Sequence, residues 1–416
     1  MIQENQYLVS KARSSIGQIL AFSLLISMLS HGMFFKYEWL ILGIILAGYT
    51  LIKIPELDLE TFNHTDLLLA GLIALSLLGI FHPVRLSEGI FEAMHWGIFW
   101  LVYRLSRQIS QAPAIVTGVI KKLHLIAFLF AISGWVPIAG EIWLAPGLPE
   151  AGRLSSWFGY PNAAAAFLGA VLLLNPKHLL ITICLGISLV STGSRGGIGL
   201  FVIILVLREL GCVLFNFPRR ERFFKLRERF LPVFLKILGL SIFLLGGLLL
   251  IKFFYEPALT HLWSWGFSST SWYERLHYYR DGLKLAVEAY GFPRAGGWWA
   301  FPEVQQISYW SADPHSSIIR ILLNQGILGV VLFAVWGYLV LKQEVQTMHF
   351  QDDYQRREAL NRLSVVLFLA FHSFIDADFS FGALGILFWV IVGIMTRSNY
   401  FAKSHIRQVK TLRFRR

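Results

Sequence analysis

Charge and cysteine are both scarce in this chain. Of 416 residues only 25 are Asp or Glu, 37 are Lys or Arg, and 2 are Cys. A charged fraction of 15% beside a hydrophobic fraction of 56% excludes an ordinary soluble domain, which holds roughly 25% charged and 45–50% apolar residues. Cys184 and Cys212 both fall inside apolar runs. They read as buried small residues, and a disulfide framework or a cysteine metal site is excluded. No internal repeat or low-complexity tract appears, so 1–416 reads as one membrane domain. A cleavable leader is not evident either. The first apolar run, Ile16 to Phe35, follows Lys11 and Arg13 and is too long for a signal core.

Long charge-free runs are what the chain does have. Phe234–Ile251 and Ile327–Leu341 are two of them, and the mean hydropathy is +0.58. A helix that spans a bilayer needs about 20 mostly apolar residues. Apolar segments fall near 16–35, 38–54, 66–82, 88–106, 117–138, 161–174, 178–191, 196–215, 233–254, 316–342, 360–376 and 379–397. The pattern predicts an all-α, polytopic integral membrane protein with about twelve transmembrane helices. The fourth segment is weakened by Glu92 and His95, and the fifth by Lys121, Lys122 and His124. The sixth and seventh are short and are separated by Asn175-Pro176-Lys177, which suits a tight hairpin.

The net charge of +12 would suggest nucleic acid in a soluble protein. Here the basic residues cluster between apolar runs, as topology signals do, and no nucleic-acid partner is expected. Lys11 and Arg13 precede the first segment. Arg219, Arg220, Arg222, Lys225, Arg227 and Arg229 lie between the eighth and ninth. Lys342, Arg356, Arg357 and Arg362 follow the tenth, and the tail ends in Arg415 and Arg416. With twelve segments all of these fall on one side, which predicts cytoplasmic termini. The largest connection on the other side, 255–315, joins the ninth and tenth segments and is rich in Trp and Tyr. Apolar periodicity near Leu276–Ala289 predicts helical pieces there, lying at the membrane surface.

Several residues on that outer side can carry chemistry. Ser194-Arg195-Gly196-Gly197 opens the eighth segment. An arginine at that end runs against the topology bias and suits an anionic partner, helped by the helix dipole and by glycines that let a ligand approach; the plainer reading is a snorkelling side chain. Arg153 precedes the sixth segment, and Asn162, after Pro161, reads as a helix cap. Arg275 and Arg280 are five apart and diverge by roughly 140° on a helix, with Glu274 and Asp281 available to neutralise them. The planar, permanently charged fork of arginine suits phosphate. Asp313-Pro314-His315-Ser316-Ser317 opens the tenth segment, followed by Gly326 and Gly329, whose spacing permits close packing. At a helix start the dipole favours a neutral histidine and Asp313 opposes it; a neutral ring can take a proton from a hydroxyl nucleophile. Asp376 and Asp378, with His372 nearby, read as a solvated turn or as a second general base.

In this order, Arg153…Gly159-Tyr160-Pro161-Asn162, Ser194-Arg195-Gly-Gly, an arginine-bearing outer loop ending at Phe292–Trp299, and Pro314-His315-Ser316…Gly326-Ile-Leu-Gly329 resemble the O-antigen ligase and Wzy-type polymerase superfamily over roughly 150–400. The resemblance implies a GT-C-like bacterial inner-membrane glycosyltransferase. Such an enzyme moves a glycan from a polyprenyl-diphosphate carrier to an acceptor hydroxyl on the outer face, without metal or other cofactor. The acceptor is a lipid A core or another glycan. His315 would be the base or would position the acceptor. Arg195 and a loop arginine, Arg275 by preference over Arg280 and Arg294, would hold the diphosphate, with Arg153 as a further candidate. Ser316 stands where family members often carry Asn. The alternatives are a polysaccharide polymerase, a transporter or flippase for a lipid-linked glycan, and a non-catalytic assembly factor.

Overall fold

The apolar runs fold as helices, and the breaks between them follow glycine, proline and left-handed backbone. A computed structural model describes residues 2–53, 62–135, 153–215, 270–348 and 351–396. The ninth predicted segment, 233–254, lies outside the described residues, as do the basic stretch 219–229 and the tail. Among the described residues the helices are α1 (Ile2–Leu29), α2 (Lys36–Lys53), α3 (His64–Leu78), α4 (Leu86–Ile109), α5 (Pro113–Trp135), α6 (Pro161–Leu173), α7 (Leu179–Ser191), α8 (Arg195–Phe215), α9 (Thr270–Glu288), α10 (Ser317–Asn324), α11 (Gly326–Met348), α12 (Asp353–Ser373) and α13 (Gly382–Thr396). Among the described residues no strand occurs.

Among the described residues four stretches are long and apolar enough to cross a membrane: Ser10–Leu29, His64–Phe81, Pro113–Trp135 and Gly326–Met348. Several other helices fall short for visible reasons. Helices α6 and α7 have 13 residues each, a rise of about 20 Å at 1.5 Å per residue, against a hydrocarbon core of about 30 Å. Helix α4 carries Glu88, Glu92, Arg104 and Arg107, and α12 carries Asp353, Arg356, Arg357, Glu358 and Arg362. The apolar faces that remain exposed are compatible with a lipid environment. Ile44, Leu51 and Ile52 on α2 and Leu328, Val331 and Val335 on α11 all stand out from the protein.

The chain divides into two compact units. The first comprises Met1–Ile109, Ser264–Leu341 and Ser373–Gly393; the second comprises Ser110–Trp263, Lys342–His372 and Ile394–Arg416.

In the first unit the run predicted at 16–35 stops at Leu29, because His31, Gly32 and Met33 all have positive φ and turn the chain back. Helix α3 starts at a full capping box. The Asn63 side chain accepts from Thr65 and Asp66, and Asp66 accepts from the Asn63 N–H. The connection predicted over 255–315, described from 270 onward, is helical where the periodicity predicted it. Helix α9 packs Tyr278, Leu285 and Ala286 against Trp298 and Phe301 of a short 3₁₀ helix, Gly297–Glu303, and against Ile319 and Leu323 of α10. The chain before that 3₁₀ helix is stitched on both sides. Ala295 N–H donates to Gly79 O at 3.0 Å, and Arg294 N–H donates to Leu323 O at 3.1 Å.

The segment predicted as one helix over 316–342 is two. It breaks at Gly326, with φ of 72°, where Gly291 O accepts from Ile327 N–H at 2.9 Å. A Cβ on Gly326 would sit 2.5 Å from Gly291 O. The glycine therefore supplies a left-handed turn and backbone contact.

In the second unit Pro161 occupies the first helical position of α6 and Tyr160 is the cap residue. Asn162 is not the cap that the sequence suggested; its side chain is used elsewhere. Cys184 and Cys212 form no disulfide and are partly buried, where the sequence suggested buried small residues.

The Gly326→Ala variant is expected to lose well over 1 kcal/mol of stability, since the new Cβ meets backbone and positive φ together. Gly48→Ala in α2, where a Cβ meets nothing within 4 Å, is expected to leave stability unchanged or raised. Thermal unfolding of the two detergent-solubilised variants compares them directly.

Candidate functional site

The sequence candidates separate into two groups, one in each unit. His315, Arg275 and Arg280 belong to the first; Arg153 and Arg195 belong to the second.

His315 ends the turn that leads into α10, whose cap residue is Ser316. Its φ is 51°, a conformation uncommon outside glycine and worth roughly 1–3 kcal/mol of strain. The surroundings hold it there at three points. Its N–H donates to Asp313 Oδ1 at 2.7 Å. Its carbonyl accepts from Tyr279 Oη at 3.3 Å. Its ring Nδ1 lies 2.9 Å from the Asp313 carbonyl. A carbonyl can only accept, so Nδ1 carries the proton. In the neutral ring Nε2 is then left with a free lone pair. The Tyr278 ring lies 5.3 Å from the imidazole, centroid to centroid. The site thus holds an oriented imidazole with its basic nitrogen determined by the chain itself.

Asp313 connects this turn to a buried ionic cluster that the sequence reading missed. Its Oδ2 accepts from Ser380 Oγ and lies 3.5 Å from an Arg320 nitrogen. Arg320, on α10, donates to Glu92 Oε2 on α4 at 2.6 Å and 3.1 Å. It also lies 3.1 Å from His95 Nδ1, which must accept there, because a guanidinium only donates. Glu92 and His95 are 4% and 3% exposed. A signal for them did exist: two ionisable residues, three apart, in an otherwise apolar run are a site hypothesis by default.

This cluster floors an open cavity of about 410 Å³. Aromatic rings of Phe34, Phe91, Trp298 and Trp299 form part of its wall. At its rim Lys36 pairs with Glu88, Arg85 lies 3.7 Å from the same carboxylate, and the Arg85 guanidinium sits 4.3 Å above the Trp299 ring.

The two loop arginines of α9 differ in their partners. Arg275 donates to Asp376 Oδ2 at 2.8 Å. Asp376 and Asp378 are 2% and 0% exposed, so the turn that holds them is buried, not solvated. Arg280 is bound to the adjacent Asp281 at 2.6 Å and to Gln306. Asp281, fully buried, accepts also from Tyr309 Oη at 2.7 Å. Arg280 therefore works as a fastener inside the α9 core. Burial pushes Tyr278 and Tyr279 up to about 12, with Glu274 adding to the effect at Tyr278. Burial, and then the bond to Asp281, raise Tyr309 as well.

In the second unit Arg153 is nearly buried. Its Nε donates to Thr192 O at 2.7 Å and its Nη2 donates to Asn162 Oδ1 at 3.0 Å. This braces the turn Thr192–Ser194, which delivers Arg195 as the first residue of α8. Arg195 is half-buried and Gly196 is exposed. Gly197 is instead a packing glycine: a Cβ there would sit 2.9 Å from Ala165 Cβ and 3.2 Å from His372 Nε2. Among the described residues no group of three or more His, Cys, Asp or Glu is placed to hold a metal ion.

No family model, curated protein or solved structure matches this chain. The functional reading therefore rests on its own residues and on the motif resemblance.

Two predictions follow from the clusters. Arg320→Met is expected to cost about 3–5 kcal/mol, because Glu92 is left buried and unpaired; adding Glu92→Gln should recover part of the loss, as a double-mutant cycle of unfolding free energies would show. The α9 core should also weaken in alkali. The tyrosine protons are kept in the folded state up to about pH 12 but are lost from the unfolded chain above about pH 10. Stability is thus full below about pH 10 and is lost as pH rises towards 12. Thermal melting across that range measures it.

Proposed function

We propose that this chain is a polytopic bacterial inner-membrane glycosyltransferase of the O-antigen ligase type. In this reading it has about twelve spans, cytoplasmic termini and an outer-face site. It takes a glycan from a polyprenyl-diphosphate carrier and passes it to a hydroxyl of a lipid A core-type or other surface glycan. The observation that carries the reading is the clamped His315, whose Nδ1 faces the Asp313 carbonyl at 2.9 Å.

The chemistry then runs as follows. His315 Nε2 takes the proton of the acceptor hydroxyl. The acceptor oxygen forms its bond to the anomeric carbon while the bond from that carbon to the diphosphate oxygen breaks. The electron pair leaves with polyprenyl diphosphate. Negative charge grows on that leaving group, and fixed guanidinium groups stabilise it without reorganising. The motif resemblance assigns that role to Arg275 and to Arg195. Asp376 holds the Arg275 fork at 2.8 Å, which orients it before substrate arrives. Arg153 positions the Arg195 turn. A polymerase differs only in the acceptor, which these residues do not read.

One observation bears on the transporter alternative. Buried charges in a helix can mark a transport path, and Glu92 and His95 are such charges. They are, however, the seventh and tenth of the 24 residues of α4 and both meet Arg320 beside the His315 turn, which supports a role in holding that turn.

The test is turnover of a polyprenyl-diphosphate glycan by the full chain in nanodiscs, with candidate acceptors and with EDTA present. Wild type should release polyprenyl diphosphate and form a glycosylated acceptor. His315→Ala and Arg195→Ala should each lose about a hundred-fold or more in rate while keeping the wild-type melting temperature. Turnover that survives both substitutions, or none with any acceptor, would reject the transferase and leave transport as the leading reading.

A further inference from the structure

The transferase reading needs a base and cations for a diphosphate. It does not use the cavity of about 410 Å³ in the first unit, which falls within the roughly 300–1,000 Å³ of small-molecule sites. We propose that this cavity binds an uncharged sugar ring of the acceptor glycan. Its role as the acceptor's site rests on the transferase reading; its fit to a sugar does not.

The charge pattern argues first. The wall holds three cations, Lys36, Arg85 and Arg320, and three carboxylates, Glu88, Glu92 and Asp313. Each cation faces a carboxylate: Lys36 and Arg85 face Glu88, and Arg320 faces Glu92 and Asp313. The three charges of each sign cancel, so the cavity offers a diphosphate no net positive charge. An uncharged polyol needs none, and the paired groups still offer it both donors and acceptors. The cavity is therefore poor for the leaving group and suited to hydroxyls.

The aromatic wall argues second. Trp299, half-buried, lines the cavity beside Trp298, Phe34 and Phe91. A sugar ring has an apolar C–H face and a polar rim, and it needs an apolar surface together with hydrogen-bonding groups. An all-polar phosphate has no use for four aromatic rings.

Position argues third. Asp313 and Pro314 are part of the wall, and the next residue is His315. The backbone carbonyl of Asp313 orients the imidazole while its side chain joins the cavity floor through Arg320. A sugar seated against Asp313 lies two residues along the chain from the base that must take a hydroxyl proton. Together with the balanced charge of the wall, that points to the acceptor and not the diphosphate-bearing donor in this cavity.

Binding can be read without turnover. The full chain in nanodiscs would be titrated with free glucose, galactose, N-acetylglucosamine and rhamnose and, separately, with inorganic pyrophosphate. Saturation-transfer NMR reports ligand contact, and melting temperature reports folding. Three variants locate the site: Ala312→Trp, which fills the cavity from an exposed lining position; Trp299→Ala; and Trp299→Phe, which keeps an aromatic face. At least one sugar should bind wild type and Trp299→Phe. Its affinity should fall about ten-fold or more in Ala312→Trp and Trp299→Ala at unchanged melting temperature. Sugar binding indifferent to all three variants overturns the proposal, as does pyrophosphate binding that Ala312→Trp abolishes. The two readings fail separately. Variant-sensitive sugar binding without any turnover of lipid-linked donor supports the sugar site and removes its acceptor role. Donor turnover that is normal in Ala312→Trp removes the sugar site and leaves the transferase.

Discussion

A single part-buried guanidinium organises the first unit. Arg320 answers the buried Glu92 carboxylate, an ion that would cost several kcal/mol if left unpaired in the interior. It is met by Glu92 from α4 at 2.6 Å, by Asp313 from the turn before α10 at 3.5 Å, and by Ser380 from the chain just before α13. Such a cluster contributes little net stability over an apolar core of the same shape. What it does is restrict the arrangement: only one placement of these three chain segments satisfies all the charges. Close packing of α13 on α4, where Gly385 faces Phe99 and Gly393 faces Ser106, fixes the same arrangement from the apolar side.

The consequence reaches the candidate base through Asp313. Its carboxylate is engaged on one oxygen by Arg320 and Ser380 and on the other by the His315 N–H. Its carbonyl fixes the imidazole. A histidine in left-handed backbone is costly on its own, and here the cost is met by bonds that start from the Arg320–Glu92 ion pair, whose arginine lies five residues along the chain. The same cluster floors the cavity, so the shape of a sugar pocket and the orientation of a proton acceptor depend on one set of charges.

The sequence made much of this legible, for physical reasons that can be named. Long apolar runs and weak charge give helices, and the apolar periodicity near Leu276–Ala289 gives α9, because both signals are local. Pro161 marks the start of α6 for the same reason. His315 stood out because its type and neighbours suggest chemistry wherever they fold. The Gly326 break was hidden, since an isolated glycine in an apolar run looks like packing until Gly291, 35 positions earlier, is brought against it. The pairing of Glu92 with Arg320 spans 228 positions, and no local pattern announces it. Asn162 looked like a cap because Asn usually caps; Tyr160 took that place and Arg153 claimed the side chain. Asp376 looked solvated because it sits between two helices, and its burial became visible only with Arg275 in place, 101 positions away.

The central claim is that His315 is held as the tautomer protonated at Nδ1, with Nε2 left to act as a base. Nitrogen-15 NMR of ring-labelled histidine in the full chain tests this most directly, with His315→Gln used to assign the signal. The expected result is a protonated Nδ1 and an unprotonated Nε2 for His315 in the neutral ring. A neutral His315 protonated at Nε2 would contradict it, since that nitrogen could then accept no proton from an acceptor hydroxyl.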